Sequence, residues 1–587
     1  MGHTEQRAAQ SLSFRTHDDV ELRYRRWPAA ASRRGAVVMF HRGHEHGGRM
    51  AHLVDELGLD AFDFYAWDAR GHGESPGERG YSPSFGTSVR DVQTFVDHIE
   101  QTHGVKVGDM LILAQSVGAV LVSTWVHDYA PRVRAMVLAS PAFKVKLYVP
   151  FARPGLALLQ KIRGNFFVNS YVKSKFLTHD VSRQQSYDSD PLISRPISVN
   201  ILLGLYDAAD RVVADAAAIT VPTQLLISGA DWVVHHQPQH RFFDRLGSAV
   251  KEKHVLDGFY HDTLGEADRA KAVSLIRTFV LRMFDSPPAP VNLADAHLKG
   301  FTHEEAQTLS APLPAMSPKG LYWSTYRAGL KLAGSLSEGV ALGHRTGFDS
   351  GSTLDYVYRN EARGTGPIGR LVDRNYLDAI GWRGIRQRKT HLEALIRRAV
   401  QDVQSSGQPV RILDIAAGHG RYVLDAIASC GVEPEQVLLR DYSDINVEDG
   451  RRLIGQKNMA HFARFEKGDA FDTASVANAL PGVTVGIVSG LYELFPDNDL
   501  VRASLAGMAK ALDSGGYLLY TGQPWHPQLE MIARALTSHR QGQAWVMRRR
   551  TQAEMDQLVR DAGFEKMAQL VDEWGIFTVS LARRVAE

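Results

Sequence analysis

The sequence predicts an α/β protein built from two consecutive domains, and three observations carry that prediction. Short apolar runs alternate with amphipathic segments from residue 35 to about 140, and the rhythm starts afresh near residue 409. Each rhythmic block has its own glycine signature at a strand-to-helix turn, and the two signatures differ. With 587 residues the chain is also too long for a single core, at ~100–200 residues per domain. Parallel strands buried on both faces read as unbroken apolar runs, and the helices crossing between them read as amphipathic.

In the first block GAVVMF, FDFYAWD, MLILAQS and AMVLAS are the expected strands, with the amphipathic SVRDVQTFVDHIEQ as a crossing helix. The rhythm breaks after Pro141 and resumes at VPTQLLISGAD, residues 221–231, so about 142–218 is expected to be an insertion capping the sheet. A Pro-rich, weakly patterned stretch, DSPPAPVNLADAH, follows Phe284 and reads as the start of a linker. In the second block PVRILDIAAGHG, QVLLRDYS, ARFEKGDA, VTVGIVSGLYELF, GGYLLYTGQPW and GIFTVSLARR are the expected strands and strand ends. The boundaries that follow are 10–285 for the first domain, 286–354 for a linker and connecting segment, and 355–587 for the second domain.

Composition excludes several classes. Lys and Arg number 67 against 65 Asp and Glu, a net charge of +2, so bulk charge does not suit the chain to nucleic acid, and no such partner is expected. The lone Cys430 rules out an intrachain disulfide and a Cys₄ zinc site, and fits a reducing cytoplasm. The N-terminal MGHTEQRAAQSLSF has no apolar core of a signal peptide, and no run approaches the ~18 apolar residues of a membrane span. A cytoplasmic protein is expected.

In LILAQSVGAV a serine, Ser116, stands between an apolar strand and a helical run. A nucleophile on such a turn needs small neighbours, because the turn is strained and tightly packed, and Ala114, Gly118 and Ala119 supply them. On its own the motif fits close packing equally well. Asp231 follows the buried run QLLIS, and His261 lies in a loop 30 residues later. The order Ser, Asp, His is that of the α/β-hydrolase triad, in which the histidine takes the serine proton and the aspartate orients the imidazole. A turn aspartate and a surface histidine are the plainer alternative.

Further motifs make this half similar to the monoacylglycerol lipase and lysophospholipase branch of α/β-hydrolases, over about residues 10–285. That branch carries H-G-x-x-E-H-x-x-R after its first core strand, and here stand His41, Arg42, Gly43, His44, Glu45, His46 and Arg49. It also carries D-x-R-G-H-G-x-S, matched by Asp68, Arg70, Gly71, His72, Gly73 and Ser75. The resemblance implies an α/β-hydrolase fold with a cap, a monoacyl lipid or related ester as substrate, and the backbone N–H groups of Gly43 and Val117 as oxyanion donors. Two positions depart from the pattern: Arg42 replaces a glycine, and Ala114 replaces the first glycine of G-x-S-x-G. The histidines at 41, 44 and 46 lack the accompanying carboxylates or cysteines of a metal set, so no metal is expected.

RILDIAAGHGRYVLDAI is a strand, a glycine turn and a helix. Val423 stands where a dinucleotide motif would place its third glycine. The run D-x-A-x-G-x-G, here Asp414, Ala416, Gly418 and Gly420, instead resembles motif I of class I S-adenosylmethionine-dependent methyltransferases, within a bacterial group of such domains covering about 355–587. The resemblance implies a Rossmann-like fold and S-adenosyl-L-methionine as cofactor. It further implies Asp441 as the ribose ligand and Asp469 with Ala470 at the adenine. Tyr492, Glu493 and His526, near the next strand ends, are candidate contacts for the methyl acceptor. The plainer reading is a generic βαβ unit with surface carboxylates. The basic helix NYLDAIGWRGIRQRKTHLEALI either closes over the ligand or simply packs on the sheet.

Between Tyr129 and His179 there is no Asp or Glu, but there are nine Lys and Arg, interleaved in their later part with Phe143, Tyr148, Phe151, Phe166, Phe167, Tyr171 and Phe176. Two readings stand: a lid that meets an anionic membrane surface, or a solvated face over aromatic packing. The chain as a whole reads as a serine hydrolase fused to a methyltransferase. The alternative is a methyltransferase with a silent hydrolase-fold docking module.

Overall fold

The computed structural model describes residues 7–147, 151–540 and 542–585. Tyr148, counted above among the cap aromatics, lies outside them. The chain divides into two compact units, Met1–Val291 and Asn292–Glu587.

The first unit is built on an eight-stranded sheet. In chain order its strands are β1 (Gln10–Arg15), β2 (Glu21–Trp27), β3 (Gly35–Phe40), β4 (Phe62–Trp67), β5 (Met110–Gln115) and β6 (Ala135–Ala139). After an insertion containing the short antiparallel pair β7 (Phe167–Asn169) and β8 (Pro196–Ser198), the sheet resumes with β9 (Thr223–Ser228) and β10 (Lys251–Leu256). The spatial order is β1-β2-β4-β3-β5-β6-β9-β10. Strand β2 runs antiparallel to both neighbours, and β4 to β10 are parallel. Every residue of β3, β4, β5, β6 and β9 is buried, which is why all but β9, with its buried Thr223, Gln224 and Ser228, read as nearly plain apolar runs. This is the α/β-hydrolase fold, and the segment between β6 and β9 adds the cap helices Ala152–Arg163, Val181–Ser189 and Val199–Ala214.

The second unit has seven strands: β11 (Arg411–Asp414), β12 (Gln436–Asp441), β13 (Ala463–Lys467), β14 (Val483–Val488), β15 (Leu512–Gly522), β16 (Phe564–Val571) and β17 (Thr578–Arg584). They lie in the order β13-β12-β11-β14-β15-β17-β16, with β17 antiparallel to β15 and β16. The direction of winding reverses between β11 and β14, and a crevice opens beyond the carboxyl ends of strands at such a point.

The stretch 286–354 departs from the expected linker. From Asn292 onward it belongs to the second unit and forms the helices Phe301–Ser310, Pro318–Ala333 and Glu338–Thr346 and the start of Gly351–Arg359. Ser317, Ser337 and Ser350 cap three of these helices, each accepting a backbone N–H three residues on. Val340, Phe348, Tyr356 and Leu377 then pack with Trp382, Ile576 and Phe577 in a satellite core. Proline density at 286–290 masked capping signals that lie further along.

Candidate active sites

Strand β5 delivers Ser116 to the tip of a tight turn. Its φ of 56° and ψ of −115° lie outside the usual regions for a residue with a side chain, as expected of a strained nucleophile turn. The helix Val117–Tyr129 leaves the turn so close to β3 that a Cβ on Gly118 would lie 2.4 Å from the His41 carbonyl oxygen. Ala114, in place of the first glycine, sits fully buried inside β5.

The three candidate residues meet at the sheet's carboxyl edge. Ser116 Oγ lies 2.7 Å from His261 Nε2, and His261 Nδ1 lies 2.7 Å from Asp231 Oδ2. The other carboxylate oxygen of Asp231 accepts the backbone N–H groups of Val233 at 2.7 Å and Val234 at 3.0 Å. Burial pushes the Asp231 carboxyl up, but the His261 ring and those two N–H groups outweigh it and hold it below the usual carboxylate range. An ionised Asp231 fixes the Nδ1–H tautomer and leaves Nε2 free to take the serine proton.

Val117 opens its helix, where a backbone N–H has no intrahelical acceptor. A Cβ on Gly43 would come within 3.0 Å of the Val117 side chain, so the two expected oxyanion donors are neighbours. The loop between them is pinned from below. His41 Nδ1 donates to the Arg42 carbonyl at 2.7 Å, and its Nε2 accepts the Ala69 N–H at 3.1 Å. His44 reaches the Ser194 carbonyl and His46 the Asp190 carboxylate, both in the cap, so the three histidines have separate partners.

Arg42, the residue out of pattern, is buried and bidentate to Glu45, with both bonds 2.7 Å. Arg49 Nε shares Glu45 Oε1 at 2.7 Å, and both guanidinium groups lie over the Tyr187 ring of the cap. Asp262, next to His261, stands 3.8 Å from Arg42 and accepts from Arg183 at 3.1 Å and from Gln115, next to Ser116, at 3.1 Å. A buried charged lattice thus joins the oxyanion loop, the nucleophile turn, the histidine loop and the cap. No single residue of it announces this in sequence.

In the second unit a cavity of about 870 Å³ opens over the ends of β11, β12 and β14. Ala416, Gly418, Gly420, Asp441, Asp469 and Ala470 all line it. Gly418, at φ +57°, adopts the left-handed conformation that spares a side chain, and its N–H donates to Asp441 Oδ2 at 3.0 Å. Asp441 Oδ1 accepts from the Ser443 N–H at 2.9 Å and Asn446 Nδ2 at 3.0 Å. Asp414 lies beneath the loop and is fully buried, accepting the Tyr422 hydroxyl at 2.6 Å and the Ala416 N–H at 3.1 Å. Burial pushes its carboxyl up to about 7.

The three candidate acceptor contacts do not line this cavity. The Tyr492 hydroxyl turns into the core and donates to Ser504 at 3.1 Å. Glu493 accepts from Thr521 at 2.8 Å behind the cleft wall. His526 is buried, accepts the Gln528 N–H at 3.0 Å, and is pushed down to about 4 by that burial. The wall comes instead from Ser350, Gly351 and Asp355, at the end of the segment read as connecting chain and just beyond it, from Arg388 on the helix Ile380–Ser405, and from Arg540 and His539, whose N–H donates to Asp349 at 2.6 Å. Of these, Arg388 lies on the basic helix for which closing over the ligand is one of two readings, and Ser350 is a capping serine.

An α/β-hydrolase unit with an assembled Ser–His–Asp set, followed by a glycine-loop unit of methyltransferase topology, is the class that fold and sites define. The chain belongs to the family described as "Putative methyltransferase", whose model matches residues 276–584, and its N-terminal half matches the family "Serine aminopeptidase, S33" over 31–268. "Uncharacterized protein YnbC" of Escherichia coli K12 is 56% identical over 574 residues, 97% of this chain and 98% of that protein. "Monoacylglycerol lipase" of Mycolicibacterium smegmatis is 25% identical over 278 residues, 46% of this chain and 96% of that one. Among solved structures, the crystal structure of Paleococcus ferrophilus monoacylglycerol lipase is 23% identical, with a TM-score of 0.40, covering 47% of this chain and 99% of that one. Among the described residues no helix is long and apolar enough to cross a membrane.

Proposed function

We propose that the chain is bifunctional: a serine hydrolase of monoacyl lipid esters joined to an S-adenosylmethionine-dependent methyltransferase. The observation that carries the first activity is the hydrogen-bonded line Ser116–His261–Asp231 at the sheet edge. Ser116 Oγ attacks the ester carbonyl while its proton passes to His261 Nε2, and Asp231 stabilises the imidazolium. The Gly43 and Val117 N–H groups receive the oxyanion, and His261 returns the proton to the departing alkoxide. Water, deprotonated by the same histidine, then releases the carboxylic acid. The lipid class is supported by the similarity to monoacylglycerol lipases.

In the second domain the residues present fit the cofactor. The glycine turn leaves room for a close approach, the cleft is large enough for a nucleoside, and the Asp441 carboxylate can accept further hydrogen bonds from a diol. The cofactor would supply an electrophilic methyl group. Asp441 and the loop would hold the ribose, with Asp469 and Ala470 beside the adenine.

The reading of the hydrolase as a silent docking module draws on Arg42 and Ala114. Arg42 is fully paired and Ala114 is packed without disturbing the turn, which supports an active site. The cap favours membrane contact. Phe151, Leu158 and Ile162 are 86%, 60% and 75% exposed on or beside one short helix that also carries Lys161 and Arg163. Arg153 contributes less, being paired with Asp207 and Asp210. We place the protein on the cytoplasmic side, in peripheral contact with anionic lipid. Release of fatty acid from a monoacylglycerol panel, compared between the native chain and Ser116→Ala, tests the first activity. Calorimetric binding of S-adenosylmethionine tests the second.

A further inference from the structure

The helix Ile380–Ser405 carries a run of basic residues whose purpose the sequence leaves open. One of them, Arg388, points away from solvent. It is 3% exposed and lines the cofactor cleft beside Gly490, where a Cβ would lie 3.2 Å from its Nη2. Its Nε has no hydrogen-bond partner. The carboxylate that faces it, Glu493, stays 3.5 Å away and already accepts from Thr521 through the same oxygen. The Tyr358 side chain also hydrogen-bonds to the guanidinium, and the Phe577 ring lies 5.1 Å from its carbon.

Other buried arginines of this domain are used differently. Arg548 donates to Glu554, Asn498, Thr302 and the Pro496 carbonyl, and Arg550 to Asn498 and three backbone carbonyls. A buried guanidinium with an orphaned Nε and only a long contact to its facing carboxylate is under-satisfied, because that donor is taken from water without replacement. The group that best satisfies such a fork is a carboxylate, whose two oxygens match it.

We propose that Arg388 holds the amino-acid carboxylate of the methyl donor, which rests on the cofactor reading above. Position supports this. The ribose ligand Asp441 ends β12, and Gly490 follows β14 on the far side of β11. Two strand spacings of ~4.8 Å separate those ends, and the methionine arm must cross β11 to leave the ribose. The only anionic group of the donor sits at the end of that arm. Arg388 is therefore a binding residue for the cofactor.

The test is calorimetric binding to the full chain of two probes, S-adenosylmethionine and decarboxylated S-adenosylmethionine, which differ only in the carboxylate. The native protein should bind the first ~10- to 100-fold more tightly. R388M should lose that preference while binding the decarboxylated probe as the native chain does, and R388K should keep part of it. Thermal melts establish that the variants are folded. Should R388M fail to fold, R388K decides: a folded R388K that keeps the full native preference overturns the assignment. Equal native affinity for the two probes overturns the assignment, as does an R388M that weakens both alike or neither. The second of these would place the arginine's carboxylate on the methyl acceptor. A native chain that binds neither probe would remove the cofactor reading itself, a different result from any of these.

Discussion

Arg42 and Glu45 offer the sharpest test of how the hydrolase site is supported. The pair is buried and bidentate, with two bonds of 2.7 Å, each worth ~1.5–3 kcal/mol as a charge-assisted contact. Glu45 keeps Arg49 when Arg42 is removed, and Asp262 keeps Arg183. The loss in Arg42→Met should therefore be about 2–4 kcal/mol, below the sum of its contacts. For a domain of this size, ~2–4 °C per kcal/mol gives a fall of roughly 4–16 °C in the melting of the hydrolase unit. Glu45→Gln should cost a similar amount, and the double variant less than the two together by ~1.5–3 kcal/mol. The sign of the pH dependence also follows. Burial raises the Glu45 carboxyl, but Arg42 and Arg49 prevail and hold it below its ordinary 4.5. Its stabilisation is thus complete above that pH and is lost as pH falls through the folded value. The assay is urea and thermal unfolding of the full chain, with loss of esterase activity marking the hydrolase transition. Strictly additive costs in the single and double variants would refute the coupled lattice.

Three further outcomes are expected. The Asp414 carboxyl, raised by burial to about 7 against an ordinary 3.8, makes the second domain less stable as pH rises from about 4 to about 7, by up to ~1.4 kcal/mol per pH unit. Asp414→Asn should flatten that slope, and an unchanged slope in urea titrations would refute it. Asp441→Ala should weaken S-adenosylmethionine binding at least tenfold, whereas Asp444→Ala, an exposed partner of Lys467, should leave it unchanged. Equal effects by calorimetry would misplace the ribose site. The cap should bind anionic vesicles in a salt-dependent way, since charge is screened within ~8–10 Å at such ionic strength. Reversing Lys161 and Arg163 should weaken sedimentation with them, and equal binding to neutral vesicles would leave the cap an ordinary lid.

Much of the fold was legible because parallel strands announce themselves: β3, β4, β5 and β6 are apolar at every buried position or nearly so. The edge strands β1, β10 and β16 were not, although ARFEKGDA marked the edge strand β13. In β16 the sequence FEKMAQLV mixes charge with apolar residues, because one side of an edge meets water. The order Ser116, Asp231, His261 could be read because the roles depend on strand ends, and these were visible. The lattice around Arg42 could not, since its partners Arg183 and Tyr187 lie some 140 positions away and meet it only when the cap folds back. Tyr492 and Glu493 follow a strand end, as acceptor contacts should, yet the direction of each side chain was settled by partners elsewhere in the fold, Ser504 and Thr521. The part of the cleft wall at 350–355 was missed for a similar reason, whereas the helix bearing Arg388 reads in sequence as one that could close over the ligand. The missed residues sit in a helical segment whose apolar positions are few and whose packing partners, Ile576 and Phe577, come from the far end of the chain.

The central claim is that Ser116 is an activated nucleophile, and intact mass after treatment with a fluorophosphonate probe tests it most directly. The probe modifies a serine whose proton a neighbouring histidine can take, and His261 Nε2 stands 2.7 Å from Ser116 Oγ. One adduct per native chain is expected, and none on Ser116→Ala. A native chain that takes no adduct, or a Ser116→Ala chain that takes the same one, would contradict it.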